Sequence, residues 1–308
     1  MSDSYLDPRL TERRNPRTER IDQASALELV DLLAAEDATV PGAVAEARVE
    51  IARVIDLLEA AFRSGGRLLY VGAGTSGRLG VLDAAECPPT FGTDPDMVVG
   101  IIAGGFRAML RSVEGAEDDV NAGIAEMDTR QVGPKDVVVG IAASGTTPFV
   151  RAALGRAQAR GAKTVLVSCS DPPQVLQDTC DVCITVRVGP EAVTGSTRLK
   201  AGTATKLVLN MLTTGAMVRL GKTYGNLMVD LRAWNAKLAD RGERILMEVT
   251  GVPRERARAA LAEAQGRVKT AIVMLRRGVD RETAERLLEA HQGRLRPVVG
   301  DPPPVPAS

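Results

Sequence analysis

Histidine is almost missing. The 308-residue chain carries one, His291, in EAHQGRLRP. A Ser-His-Asp or Cys-His catalytic group would have to rest on that one side chain, and a site of several histidines around a metal is excluded. Any proton transfer then falls to carboxylates or lysines. Aromatic residues make up 3% of the sequence, too few for the stacking platforms that hold single-stranded nucleic acid. An excess of charge is missing too: 39 Lys and Arg balance 39 Asp and Glu. The basic face that a nucleic-acid partner demands is therefore not expected. No apolar run is long and charge-free enough to cross a bilayer. The segment MSDSYLDPRLTERRNPRTER has no apolar stretch of the secretory-signal kind. These absences predict a cytoplasmic protein without a nucleic-acid or membrane partner.

Cysteines number four: Cys87, Cys169, Cys180 and Cys183. Cys180 and Cys183 form one C-x-x-C, but a zinc site would need a second pair or histidines. Packing as small side chains at the start of a strand is the expectation for them. Cys87 has no histidine nearby in sequence to activate it and is also read as a packing residue.

What the chain does contain is a set of short apolar runs bounded by turn residues: 67–74, 97–105, 136–145, 163–170 and 182–188. They are rich in Val, Ile and Leu without clean alternation, as in strands buried on both faces. Helical patterns separate most of them. A doubly wound, parallel five-stranded α/β sheet is expected. Upstream, Val44, Ala47, Ile51, Val54, Ile55, Leu58 and Phe62 recur at helical spacing until Gly65-Gly66. Downstream, three short helical patterns end at Gly266, Gly278 and Gly293, which predicts a small all-helical C-terminal domain. The expected divisions are an N-terminal arm and helix over 1–42, the sheet domain with flanking helices over 43–235, the helical domain over 236–296 and a disordered Pro-rich tail over 297–308.

Two loops at the carboxyl ends of strands share an unusual chemistry. The first is GAGTSG, with Thr75, Ser76 and Gly77; the second is AASGTTP, with Ser144, Gly145, Thr146 and Thr147. Each offers a glycine for close backbone approach, hydroxyl donors, and a following helix whose N-terminus favours an anion. Together they suit a phosphate monoester. The glycines also match a dinucleotide fingerprint, but that pattern needs an acidic residue after the second strand. Asp94 and Asp96 precede that strand instead, and it ends in AGG. No lysine of a P-loop is present, which argues against a nucleoside triphosphate.

These loops resemble the phosphate-binding loops of sugar isomerase (SIS) domains. The resemblance sharpens over LTERRNPRTERIDQASALELVDLLAAED, VGAGTSGRLGVLDAAECPPTFG, SVEGAEDD, GPEAVTGSTRLKAGTATKLVLNM and YGNLMVDLRAWNAKL. Together these look like the N-acetylmuramic acid 6-phosphate etherase family, over nearly the whole chain except the Pro-rich tail. The segment GPEAVTGSTRLKAGTATK is shared in kind with the glucokinase regulatory protein, a non-enzymatic relative. The resemblance implies a SIS fold, a phosphosugar substrate, no cofactor, and a homodimer. It also implies a carbon–oxygen lyase releasing D-lactate from N-acetylmuramic acid 6-phosphate. By position in the family motifs, Glu86 would protonate the leaving group and Glu117 would take the proton from C2, with the two roles open to exchange. Pro88 predicts that the helix ends beside Glu86, leaving it on a loop edge in an apolar setting that would raise its pKa. Glu191, Ser196, Thr197 and Lys200 form a second group of candidates, on a loop that can close over a sugar; a helix cap explains Ser196 or Thr197 as readily. Asn15, on the N-terminal arm, is a candidate to reach a second subunit. The alternative to the lyase is a phosphosugar-binding regulator without chemistry; it would keep Ser76 and Ser144 but would not need both Glu86 and Glu117.

Overall fold

The computed structural model describes residues 9–231 and 236–305. The start of the expected N-terminal arm, residues 232–235 at the expected domain boundary, and the last three residues of the expected tail lie outside the described residues. The chain divides into two compact units. One holds the residues up to Ala85 with Pro95–Thr213; the other holds Glu86–Asp94 with the residues from Thr214 onward.

The first unit opens with short 3-10 turns at Leu10–Glu12, Pro16–Thr18 and Ile21–Gln23, followed by α1 (Ala26–Asp37), α2 (Val40–Glu46) and α3 (Arg48–Arg63). Ser25 and Glu28 form a reciprocal capping box that starts α1. Gly65 stops α3 in the left-handed region, φ 77°, and the Gly66 N–H returns to the Ala61 carbonyl. Then come β1 (Leu68–Gly72), α4 (Gly74–Phe91), β2 (Val98–Ile102), α5 (Arg107–Leu110), α6 (Val120–Thr129), β3 (Val137–Ile141), α7 (Pro148–Ala159), β4 (Lys163–Ser168), α8 (Gln174–Thr179), β5 (Val182–Thr185) and α9 (Lys200–Arg219). The five strands form one parallel sheet in the order β2-β1-β3-β4-β5. β1, β3 and all of β4 beyond Lys163 are buried, which explains why their sequences run apolar without alternation. The order reverses beside β1, so the ligand crevice of this topology opens at the carboxyl ends of β1 and β3.

The second unit contains a hairpin of β6 (Thr223–Tyr224) and β7 (Leu227–Met228), then α10 (Ala236–Thr250), α11 (Arg254–Glu263), α12 (Val268–Arg277), α13 (Arg281–Ala290) and α14 (Arg296–Val299). Gly266, Gly278 and Gly293 have φ of 76°, 65° and 75°. They end or follow three of these helices where the spacing of apolar residues predicts. The hairpin is too short to leave a pattern. α14 runs from Arg296 into the stretch expected to be disordered from 297. Val298 and Val299 are buried in the helical cluster, and the Tyr224 hydroxyl donates to the Gly300 carbonyl at 2.8 Å. Apolar burial and that hydrogen bond order the chain beyond the expected limit.

Candidate active site

In the register of the sheet, Gly72 of β1 pairs with Ile141 of β3. The loops after these residues therefore leave neighbouring strands at the same level. α4 begins at Gly74, whose φ of 52° suits glycine. Thr75 and Ser76 lie half-buried in its first turn, where helix geometry leaves N–H groups unpaired. Gly77 permits a close approach: a Cβ there would meet the Gly72 carbonyl oxygen at 2.7 Å. After β3, Ser144 and Thr146 hydroxyls lie 2.8 Å apart, and the Thr146 N–H donates to the Ser144 Oγ at 3.3 Å. Gly145 has φ 71°, and a Cβ on it would meet Pro172 at 2.9 Å. Thr147 precedes Pro148, the first residue of α7. The structure thus brings both hydroxyl loops to adjacent strand ends within one unit.

Glu117 joins this end of the sheet. It sits on a 3-10 turn, Ala116–Asp118, which follows Gly115 in the left-handed region. Its segment bounds a recess of about 220 Å³ shared with Ala73, Gly74, Arg78 and Glu114. Glu117 itself is exposed. Arg78 belongs to this recess and was missed by sequence reasoning, because a lone arginine inside a helical pattern reads as a solvated side chain.

Glu86 belongs to the second unit. The expectation that its helix ends at Pro88 is corrected: α4 runs on to Phe91 through Pro88 and Pro89. Each proline removes one backbone donor, yet the ladder resumes, with the Gly92 N–H bonded to the Pro88 carbonyl at 2.9 Å. Glu86 is exposed on this helix rather than set among apolar side chains. Cys87 is buried at 2% exposure, in keeping with a packing role. Cys180 and Cys183 are half-buried and pack against the core beside the sheet, as packing side chains.

The other candidates are engaged inside the protein. Glu191 is fully buried and accepts the N–H groups of Lys200 and Ala201 at 3.0 and 2.9 Å. Its carboxylate fills the place an anion would take at the N-terminus of α9. Burial pushes its pKa up, against the pull of those N–H groups and the Lys200 charge. Lys200 is 1% exposed and binds Glu36 at 2.6 Å. Arg17 approaches the same carboxylate at 2.5 and 2.9 Å. These contacts hold Glu36 down at about 2, the Arg17 hydrogen bond contributing most. Asn15 donates to the Pro190 carbonyl and Thr18 to the Ala192 carbonyl of the same chain. The arm thus packs on the Glu191 loop. Ser196 and Thr197 are half-buried in the turn that enters α9. Asp83, on the buried face of α4, was not singled out from sequence; it accepts from Tyr70 at 3.0 Å and Thr213 at 3.3 Å, and burial raises its pKa. Burial likewise pushes the Cys169 thiol up to about 12, which removes it as a nucleophile. Among the described residues, no group of three or more His, Cys, Asp or Glu side chains is arranged to hold a metal ion, and no helix is long and apolar enough to cross a membrane.

Comparison with known proteins adds to this geometry. Residues 50–158 match the glucokinase regulatory protein N-terminal SIS domain, and residues 105–215 match the SIS domain. The chain is 58% identical over 266 residues to an N-acetylmuramic acid 6-phosphate etherase from Gloeobacter violaceus, covering 86% of each. It is 54% identical over 277 residues to one from Rubrobacter xylanophilus, covering 90% of this chain and 92% of the relative. The corresponding figures for one from Aeromonas hydrophila are 52% over 274 residues, 89% and 92%. Among solved structures, phosphoheptose isomerase from Neisseria gonorrhoeae is similar with a TM-score of 0.46 at 19% identity, over 61% of this chain and 98% of that one.

Proposed function

Because the chain belongs to the N-acetylmuramic acid 6-phosphate etherase family, we propose that its two hydroxyl loops anchor a 6-phosphate while Glu86 and Glu117 move the protons. The protein is a carbon–oxygen lyase that cleaves the lactyl ether of N-acetylmuramic acid 6-phosphate. An alkyl ether resists direct hydrolysis. In the ring-opened sugar the aldehyde acidifies the C2 proton. A base removes that proton, the C3–oxygen bond breaks, and an acid protonates the departing lactate oxygen. Water then adds at C3 of the unsaturated aldehyde, giving N-acetylglucosamine 6-phosphate and D-lactate. The route needs an anchor and two proton-transfer groups.

The observation that supports the anchor is the pairing of Gly72 with Ile141: the loops carrying Thr75, Ser76 and Gly77 and carrying Ser144, Gly145, Thr146 and Thr147 leave neighbouring strands at the same level. In the proposed assignment Glu117 takes the C2 proton and Glu86 protonates the leaving oxygen. Glu117 borders the recess beside Gly74, which supports its placement at the reacting end. Glu191 and Lys200 are given a supporting role in this reading, since they fix the start of α9 and hold Glu36.

Each of Glu86→Gln and Glu117→Gln is expected to slow D-lactate release by about 10²- to 10⁴-fold, the usual contribution of one acid–base group. The assay runs without added NAD and with a chelator. Normal release by both variants removes the assignment. Tight phosphosugar binding without release by the wild type would favour a regulator instead. We also propose a homodimer, which light scattering across concentrations tests, and a cytoplasmic location, since a charged phosphosugar does not cross a bilayer unaided.

A further inference from the structure

We propose that Arg78 recognises the carboxylate of the substrate's lactyl arm and so selects lactyl ethers over ethers that carry no acid. This inference rests on the etherase reading above. The recess beside β1 has a volume of about 220 Å³. Sites that enclose a whole small molecule span about 300–1,000 Å³. The recess therefore fits a side arm of a phosphosugar rather than the whole sugar. Its wall includes Gly74 from the phosphate-side loop, Ser112, Glu114 and Glu117. Among the described residues of that wall, Arg78 is the one cationic side chain.

Arg78 lies in the opening turns of α4 and is half-buried. Its Nε donates to the Met109 carbonyl at 3.2 Å, which fixes the plane of the guanidinium. Its terminal nitrogens make no hydrogen bond or ion pair among the described residues. Two parallel donors on a fixed plane match a carboxylate bidentately, as a lysine cannot.

The substrate presents two anions, a phosphate and a lactyl carboxylate. The hydroxyl loops suit the first. The second would enter a recess that already holds Glu114 and Glu117, and like charges at close range oppose one another. A guanidinium in the same wall offsets that repulsion and gives the acid a partner. An ether arm without the acid gains nothing from it.

The test compares wild type, Arg78→Lys and Arg78→Met on two substrates. One is N-acetylmuramic acid 6-phosphate; the other is the same sugar with its lactyl acid converted to the primary amide. Release of lactate or lactamide is followed, and the reported quantity is the ratio of kcat/KM for acid over amide. That ratio is independent of how much of each variant folds. For the wild type it should favour the acid. In Arg78→Met it should fall by about 10- to 100-fold, the range for a hydrogen bond to a charged group, with the loss mainly in KM. Arg78→Lys should fall between. An unchanged ratio in both variants, with equal losses on both substrates, would mean that Arg78 only holds the segment at Met109, and would overturn the proposal. Failure of the wild type to release lactate at all would overturn the etherase reading instead.

Discussion

At the scale of single residues, the most consequential side chain outside the reacting end is Glu36. It is 2% exposed and is held by Arg17 and Lys200. Its carboxyl titrates at about 2 in the folded chain, against an ordinary value of 4.5. A depressed carboxyl contributes stability above its unfolded pKa and loses it as pH falls through the folded one. The window is therefore the interval from about pH 4.5 down to about pH 2, and the contribution is on the order of 3 kcal/mol. Glu36→Gln should flatten the fall of melting temperature between pH 5 and 3. At neutral pH it should cost about 3–5 kcal/mol, because Lys200 is left buried without its ion-pair partner. Parallel melting curves for the two proteins across that range would show that Glu36 does not carry the acid sensitivity. None of this was legible in the sequence. Glu36 sits in an amphipathic helix where a carboxylate reads as solvated, and its partner Lys200 is 164 positions away. The hydroxyls of the two loops were legible, because their chemistry is local to a strand–turn–helix junction. Arg78 and Asp83 were not, because what singles them out is the recess one borders and the burial of the other.

At the scale of elements, the strands and the helix ends could be read and the course of α4 could not. Runs such as 136–145 are long enough for one buried strand, and glycines at helix ends announce their left-handed turns. A proline pair reads as a stop, yet α4 passes through it at the loss of two backbone donors. Glycines within helices show a similar split between local and tertiary causes. Gly123 in α6 faces α7, and a Cβ there would lie 2.4 Å from the Phe149 carbonyl oxygen. Gly155 in α7 is exposed and has nothing within 4 Å of its virtual Cβ. Gly123→Ala should therefore destabilise by about 1–3 kcal/mol through backbone displacement. Gly155→Ala should stabilise by about 0.5–1 kcal/mol through helix propensity and a smaller unfolded-state entropy. Urea midpoints at constant slope measure both. Stabilisation by both substitutions would mean that helix propensity, not the α6–α7 approach, decides the outcome at both sites; destabilisation by both would remove the propensity argument at Gly155.

At the scale of the whole molecule, the apolar packing of the second unit involves none of the residues proposed to do the chemistry. The buried cluster of the second unit draws every member from between Tyr224 and Val299. None comes from Glu86–Asp94, although those residues are grouped with it. The four longest helices of this cluster, α10 to α13, bury Leu246, Leu261, Ile272 and Leu288 among others. α10, α11 and α13 keep charged outer faces with ion pairs such as Arg244–Asp240, Arg256–Glu263 and Arg286–Glu282. Exposed pairs of this kind contribute about 0–1 kcal/mol each, so the apolar cluster must supply the stability. A fragment of residues 220–308 is at the size where one core is only just sufficient. Because all the cluster is retained, the fragment should show helical circular dichroism and a cooperative thermal transition, and should release no D-lactate, having none of Ser76, Glu86, Glu117 or Ser144. A helical spectrum that melts without a sigmoidal transition would show that the cluster needs the rest of the chain to fix its packing. The fragment would then behave as a collapsed helical state rather than a folded domain.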